Sequence, residues 1–192
     1  MKIALIVAHD AYLKCAKNIS SMLGDGIDIS WFTTSSDLHD PDFNLVQIGI
    51  ENEIHHFDFI FDGLGGRALN QLIHDVRNSV YIHTPKIISF FPGILHYRIF
   101  EALTSRLFCD GVLLNCKRDF ELFNEISNSV FGYSRGVLFG APWVEPNFPR
   151  AEIIDIDLLF VEQSIVPSSK LERTKLVKQL HDIAASNAQI KV

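Results

Sequence analysis

Short apolar runs alternate along this chain with apolar stripes at helical spacing, and few folds accept that pattern. Ile3 to Ala8 is a β-rich run without polar alternation, which implies a strand covered on both faces. Tyr12, Cys15, Ala16, Ile19, Met22 and Leu23 then share one helical stripe, with Asp10 placed to cap the helix and Gly24-Asp25-Gly26 to end it. Ile27 to Thr33 supply a second strand. Thr34 to Glu53 form a polar excursion in which Val46, Ile48 and Ile50 alternate like a short extra strand. The pattern resumes with Phe57 to Phe61 as a strand and Asp62-Gly63-Leu64-Gly65-Gly66 as a turn. A helix follows with Leu69, Leu72, Ile73, Val76 and Val80 on one face.

Lys86 to Phe91 make the next strand, and Phe91-Pro92-Gly93 punctuates it. Leu95, Ile99, Ala102, Leu103 and Leu107 then face inward from a helix. Gly111 to Leu114, Lys117 to Ile126 and Gly136 to Phe139 continue as strand, helix and strand. Parallel neighbours need crossover connections, so the expected fold is α/β: a Rossmann-like, open, mainly parallel sheet with helices on both faces. Pro142, Pro146 and Pro149 then interrupt the pattern, since a proline-rich stretch continues neither a helix nor a central strand. A boundary is expected there: residues 1–140 as the amino-terminal domain, 141–156 as a crossover and 157–192 as the start of a second α/β unit. Within it, Asp157 to Val161 read as a strand and Ser169-Lys170-Leu171-Glu172 as a capping box. The helix that follows turns Leu176, Val177, Leu180, Ile183 and Ala184 inward, and Gln189 to Val192 begin another strand. On this pattern the chain stops inside a βαβ unit. About 40 residues is below the usual threshold for independent stability. The unit is therefore expected to open a longer domain or to add to the first sheet.

With 192 residues, 47% of them apolar and fifteen Phe, the chain can bury a sizeable core. A net charge of −6 and the lack of any Lys/Arg run argue against a nucleic-acid partner. The apolar start stops at His9-Asp10, at strand length and short of a signal-peptide core. No stretch approaches the roughly 20 apolar residues of a membrane span. A cytoplasmic protein is expected, with any membrane contact peripheral, at the inner face. Cys15, Cys109 and Cys116 form no C-x-x-C pair and read as reduced core thiols.

In an open parallel sheet, ligands bind beyond the carboxyl ends of the strands. His9 and Asp10 follow the first strand, where they serve either as helix cap and surface imidazole or as a catalytic base, Asp10 being the stronger candidate. Asp62, Gly63, Gly65, Gly66 and Arg67 combine glycines, a helix N-terminus and a guanidinium suited to phosphate or carboxylate. They match neither G-x-G-x-x-G nor a Walker A loop, and a plain turn with a surface arginine is the alternative. Pro92 and Gly93 make a turn that also permits close backbone approach to a substrate. Arg106 and Asp110 are expected to pair at a helix end, and Asn115 either caps the next helix or touches ligand. Glu162, Gln163 and Ser164 follow the strand of the second unit. His55-His56 sit on opposite sides of an extended segment, and no metal site is expected. No G-x-S-x-G elbow is present.

The segment Ile88-Ser89-Phe90-Phe91-Pro92-Gly93-Ile94, followed by Arg106, Asp110, Asn115, Asp119 and Phe123, resembles the amino-terminal half of bacterial glycosyltransferases of the two-domain GT-B type. Leu158 to Ser169, with Glu172-Arg173, resembles the first βα unit of their carboxyl-terminal domain. The resemblance implies transfer of a sugar from a nucleotide-activated donor to a cell-envelope glycan or lipid-linked acceptor. It implies that residues 1–140 are the acceptor side, offering the base, and that 157–192 open the donor side. Such enzymes usually work without a bound metal or cofactor, the nucleotide sugar being a substrate. Two other functions fit the residues: a non-catalytic Rossmann-like binding or assembly module, with the last unit docked on the main sheet or on a partner chain as in a homo-oligomer, and a small nucleotide- or flavin-binding protein of flavodoxin-like topology.

Overall fold

Ile3, Ala4, Leu5, Ile6 and Val7 are almost wholly removed from solvent, as a strand covered on both faces must be. In the computed structural model, which describes residues 1–47, 54–78, 83–93, 95, 98–140 and 170–186, the chain divides into two units, Met1–Pro146 and Asn147–Val192. The first unit has seven strands: β1 (Lys2–Val7), β2 (Asp28–Thr33), β3 (Val46–Gln47), β4 (Phe59–Gly63), β5 (Lys86–Phe90), β6 (Gly111–Leu114) and β7 (Gly136–Leu138). Its helices are α1 (Asp10–Met22), α2 (Gly66–Arg77), α3 (Ile99–Thr104) and α4 (Lys117–Phe131). The strands form one sheet in the order β3-β2-β1-β4-β5-β6-β7. All pairings are parallel. This is the expected Rossmann-like α/β fold. With β3 lying outside β2, the order departs from the flavodoxin-like one.

Alternate residues of β1 serve different cores, because successive side chains point to opposite faces. Leu5 and Val7 pack with Leu13, Cys15, Ala16 and Ile19 of α1. Ala4 and Ile6 belong to the larger cluster, with Leu69, Leu72, Ile73 and Val76 of α2, Leu103 of α3 and Phe123 of α4. The chain thus winds outward from β1 in one direction with α1 on one face. It then returns and winds the other way with α2, α3 and α4 on the other.

Several local expectations are corrected. The residue capping α1 is His9, whose carbonyl accepts from the N–H groups of Tyr12 (3.0 Å) and Leu13 (3.1 Å). Asp10 is the first helical residue, where its charge complements the helix dipole. Met22 is 51% exposed and lies off the apolar stripe. Asp62 and Gly63 end β4, and the turn begins after them. The helix after β5 is a six-residue piece whose N-cap, Arg98, takes a left-handed φ of 47°. His55 and His56 lie in a 3₁₀ turn, Ile54–His56, because the chain coils before β4. Helix α4 extends to Phe131 and stops at Gly132, whose φ of 75° suits glycine and whose N–H donates to the Asn128 carbonyl (2.8 Å).

In the second unit the described element is α5 (Lys170–Ser186). Val177 is half-buried, whereas Ile183, expected inward, is 46% exposed. Val80, Ile48, Ile50, the three prolines, the strand at 157–161, the cap at Ser169 and the segment 189–192 lie outside the described residues. Among the described residues no helix is long and apolar enough to cross a membrane.

The β6–β7 edge depends on a close contact. Asn124 Oδ1 accepts the Gly136 N–H at 2.8 Å, and a Cβ on Gly136 would stand 2.7 Å from that oxygen and 3.0 Å from Leu114 and Phe123. Gly136→Ala is expected to destabilise the protein by about 1–3 kcal/mol, read as a lowered urea midpoint with unchanged slope. An unaltered midpoint would contradict the packing described.

Candidate active site

Because every strand runs the same way, the residues that follow them gather on one rim. Val7 and Gly63 are register partners at the carboxyl ends of β1 and β4. Strand order reverses between these two strands, which is where open α/β sheets leave a crevice. His9 and Asp10 follow β1, Gly65, Gly66 and Arg67 follow β4, Pro92 and Gly93 follow β5, and Asn115 follows β6. The rim therefore collects most of the residues singled out in the sequence. Glu162, Gln163 and Ser164 lie outside the described residues.

His9 and Asp10 are exposed, and the His9 ring lies 4.8 Å from that of Tyr12. Gly65 caps α2 in an extended conformation, and Gly66 has a φ of 54°, which favours glycine. A Cβ on Gly65, Gly66 or Gly93 would meet nothing within 4 Å, so the backbone is open at these positions. Arg67, in the first turn of α2, is exposed and makes no ion pair among the described residues.

Gly63 is different. A Cβ there would stand 2.6 Å from the Tyr12 ring. The missing side chain makes room for Tyr12 and not for a ligand. Asn115 is also more structural than expected: the N-cap of α4 is Cys116. Asn115 Nδ2 donates to the carbonyls of Phe91 (3.1 Å) and Gly93 (2.8 Å), tying the β5 turn to β6. Asp119, buried in the first turn of α4, accepts from the Leu95 N–H at 3.1 Å and pairs with Arg118.

Beneath the rim lies a buried polar group that extends the sequence expectations. Asp62 is fully buried, and its Oδ1 accepts from the Leu64 N–H (3.3 Å) and Ser89 Oγ (3.2 Å). Its Oδ2 has no hydrogen-bond partner among the described residues. Burial pushes the carboxyl up to about 7, against the opposing Arg106 charge, the Leu64 N–H and the Ser89 hydroxyl. Arg106, 2% exposed, does not pair with Asp110. It turns inward, donating from Nε to Ser89 Oγ (2.9 Å) and from Nη2 to the Leu64 carbonyl (2.6 Å), over the Phe91 ring at 4.0 Å. Asp110 instead meets Arg77 at 2.6 Å and Lys86 at 3.5 Å. Burial also raises the Tyr12 hydroxyl, with Arg106 opposing the shift.

Ser89, Tyr12 and the inward course of Arg106 are what sequence reasoning missed. A signal existed: Arg106 falls three residues after Leu103 and four after Ala102, on the apolar stripe of the longer helix expected from the sequence, and Ser89 interrupts the apolar run of β5. Among the described residues no group of three or more His, Cys, Asp or Glu side chains is arranged to hold a metal ion.

Residues 33–192 match the model of a family described as "Putative glycosyltransferase (DUF6716)". The chain belongs to this family. No match was found among curated proteins or among solved structures. The span matched to the family covers Asp62, Ser89 and Arg106, and begins after His9 and Tyr12.

Asp62 makes stability pH-dependent in a defined direction. Its carboxyl holds a proton more tightly in the folded chain than in the unfolded one. As pH rises from about 4 to about 7, the unfolded chain loses that proton first, and the stabilising contribution declines through the folded value. Asp62→Asn is expected to flatten this decline, measured by urea unfolding across that range. A wild-type decline that survives the substitution would assign it to other groups.

Proposed function

We propose that this protein is a glycosyltransferase of the two-domain GT-B type that moves a sugar from a nucleotide-activated donor to an acceptor hydroxyl. Membership of the glycosyltransferase family supports the reaction class. The observation that carries the proposal is the reversal of strand order between β1 and β4, the place where open α/β sheets bind ligands, with the His9-Asp10 turn following one strand and the Gly65-Gly66-Arg67 turn the other.

In this mechanism His9 or Asp10 takes the proton from the acceptor hydroxyl. The acceptor oxygen then forms its bond to the anomeric carbon as the bond to the donor diphosphate breaks. The nucleoside diphosphate leaves with the electron pair. Helix termini and basic side chains offset its charge without a resident metal or cofactor. The first unit takes the acceptor side. The N-terminus of α2 and Arg67 suit an anionic group such as the phosphate of a lipid-linked acceptor, with Pro92 and Gly93 shaping the neighbouring wall. Glu162, Gln163 and Ser164, which lie outside the described residues, are the second unit's candidates for contact with the donor. An acceptor of that kind draws the enzyme to the inner face of a bacterial cell membrane as a peripheral protein.

The test is transfer or hydrolysis measured on the full-length protein with a panel of nucleotide sugars, together with donor binding. His9→Ala or Asp10→Asn, whichever removes the base, is expected to lower kcat by about 10²–10⁴-fold with donor binding retained. Failure of every donor to bind would discard the proposal in favour of a non-catalytic binding module.

A further inference from the structure

Leu64 is the first residue after β4, and buried side chains hold both of its backbone polar groups. Asp62 Oδ1 takes its N–H at 3.3 Å, and Arg106 Nη2 donates to its carbonyl at 2.6 Å. Ser89 joins the two ends, its hydroxyl donating to Asp62 Oδ1 at 3.2 Å and accepting from Arg106 Nε at 2.9 Å. The bonds close a ring through β4, β5 and the segment after α3. A hydroxyl that donates once and accepts once is suited to the Ser89 position. The remaining nitrogen of Arg106, Nη1, is anchored on the Ala102 carbonyl (2.9 Å) and Ser105 Oγ (3.3 Å). The guanidinium is therefore held on three sides and stacked on Phe91.

Burying a cation in a core of this kind rarely adds net stability, since apolar groups of the same volume do as well or better. What the fork does that an apolar side chain cannot is hold a carbonyl and a hydroxyl at fixed separation. The carbonyl it holds belongs to the residue immediately before Gly65 and Gly66, the open-backbone start of α2.

We propose that Arg106 is a positioning residue that, through Ser89 and Asp62, fixes the Leu64 peptide and with it the Gly65-Gly66-Arg67 turn of the substrate rim. The glycosyltransferase proposal enters only in naming what that turn binds. Arg106 does not touch substrate. Lysine at this position keeps the charge but cannot span Ser89 and Leu64 together.

The experiment is hydrogen exchange on the whole chain, comparing peptides over residues 64–67 with peptides over β1. Arg106→Lys and Ser89→Ala are each expected to speed exchange at 64–67 by about tenfold, the scale of one net hydrogen bond, with β1 little changed; the change is carried by the Leu64 amide, whose N–H is bonded to Asp62. Asp62→Asn retains the Oδ1 acceptor and is expected to keep the Leu64 amide protected, which loss of core packing would not do. Should Arg106→Lys fail to fold, Ser89→Ala decides the matter, since it removes one hydroxyl. Unchanged exchange at 64–67, or an equal rise at 64–67 and in β1, would overturn the proposal. On an active full-length enzyme the same variants should raise KM for the substrate held at the rim more than they lower kcat. If no nucleotide sugar is used, the reaction proposed above fails while the exchange data still decide the role of Arg106.

Discussion

The parallel pairing of β1 with β2 on one side and β4 on the other is the constraint on which the rest of the molecule depends. A parallel neighbour is reached only by a crossover, and crossovers are right-handed. Winding outward in two directions from β1 therefore sends α1 to one face and α2 to the other. The two cores record this, with Leu5 and Val7 beside α1 and Ala4 and Ile6 sharing the α2 cluster. Between the carboxyl ends of β1 and β4 the connections diverge, which is where sheets of this topology leave a crevice.

A crevice alone does not fix the shape of its walls. The polar ring through Asp62, Ser89, Arg106 and Leu64 joins the β4 turn to β5 and to the segment after α3. Asn115 and Asp119 do the same for the β5 turn from β6 and α4. Turns at adjacent strand ends are thus tied to one another by side chains from beneath. The ion pairs elsewhere, such as Arg77 and Lys86 with Asp110, are partly exposed and contribute little by comparison.

Asp62 and Arg106 are oppositely charged in their ordinary states, yet Ser89 stands between them and no direct ion pair forms. Desolvation then governs the carboxyl, which rises towards neutrality. The carboxyl lies beneath the turn after β4, where its hydrogen bonds to Leu64 and Ser89 hold that turn from below.

Periodicity in the sequence determined the strand and helix order, the parallel class of sheet and hence the rim on which His9, Gly65, Gly66, Gly93 and Asn115 lie, because burial on one or two faces is written into local spacing. It could equally mark Arg106 as out of place on an apolar stripe, but not name its partners. Arg106 and Asp110 are near in sequence and were natural to pair, whereas Leu64 lies 42 residues from Arg106 in sequence. Gly63 likewise reads as a turn glycine until Tyr12 is packed against it. Such matches depend on which strands become neighbours and at what register, and a side chain's partners across a sheet are set by that long-range pairing rather than by the residues beside it in the chain.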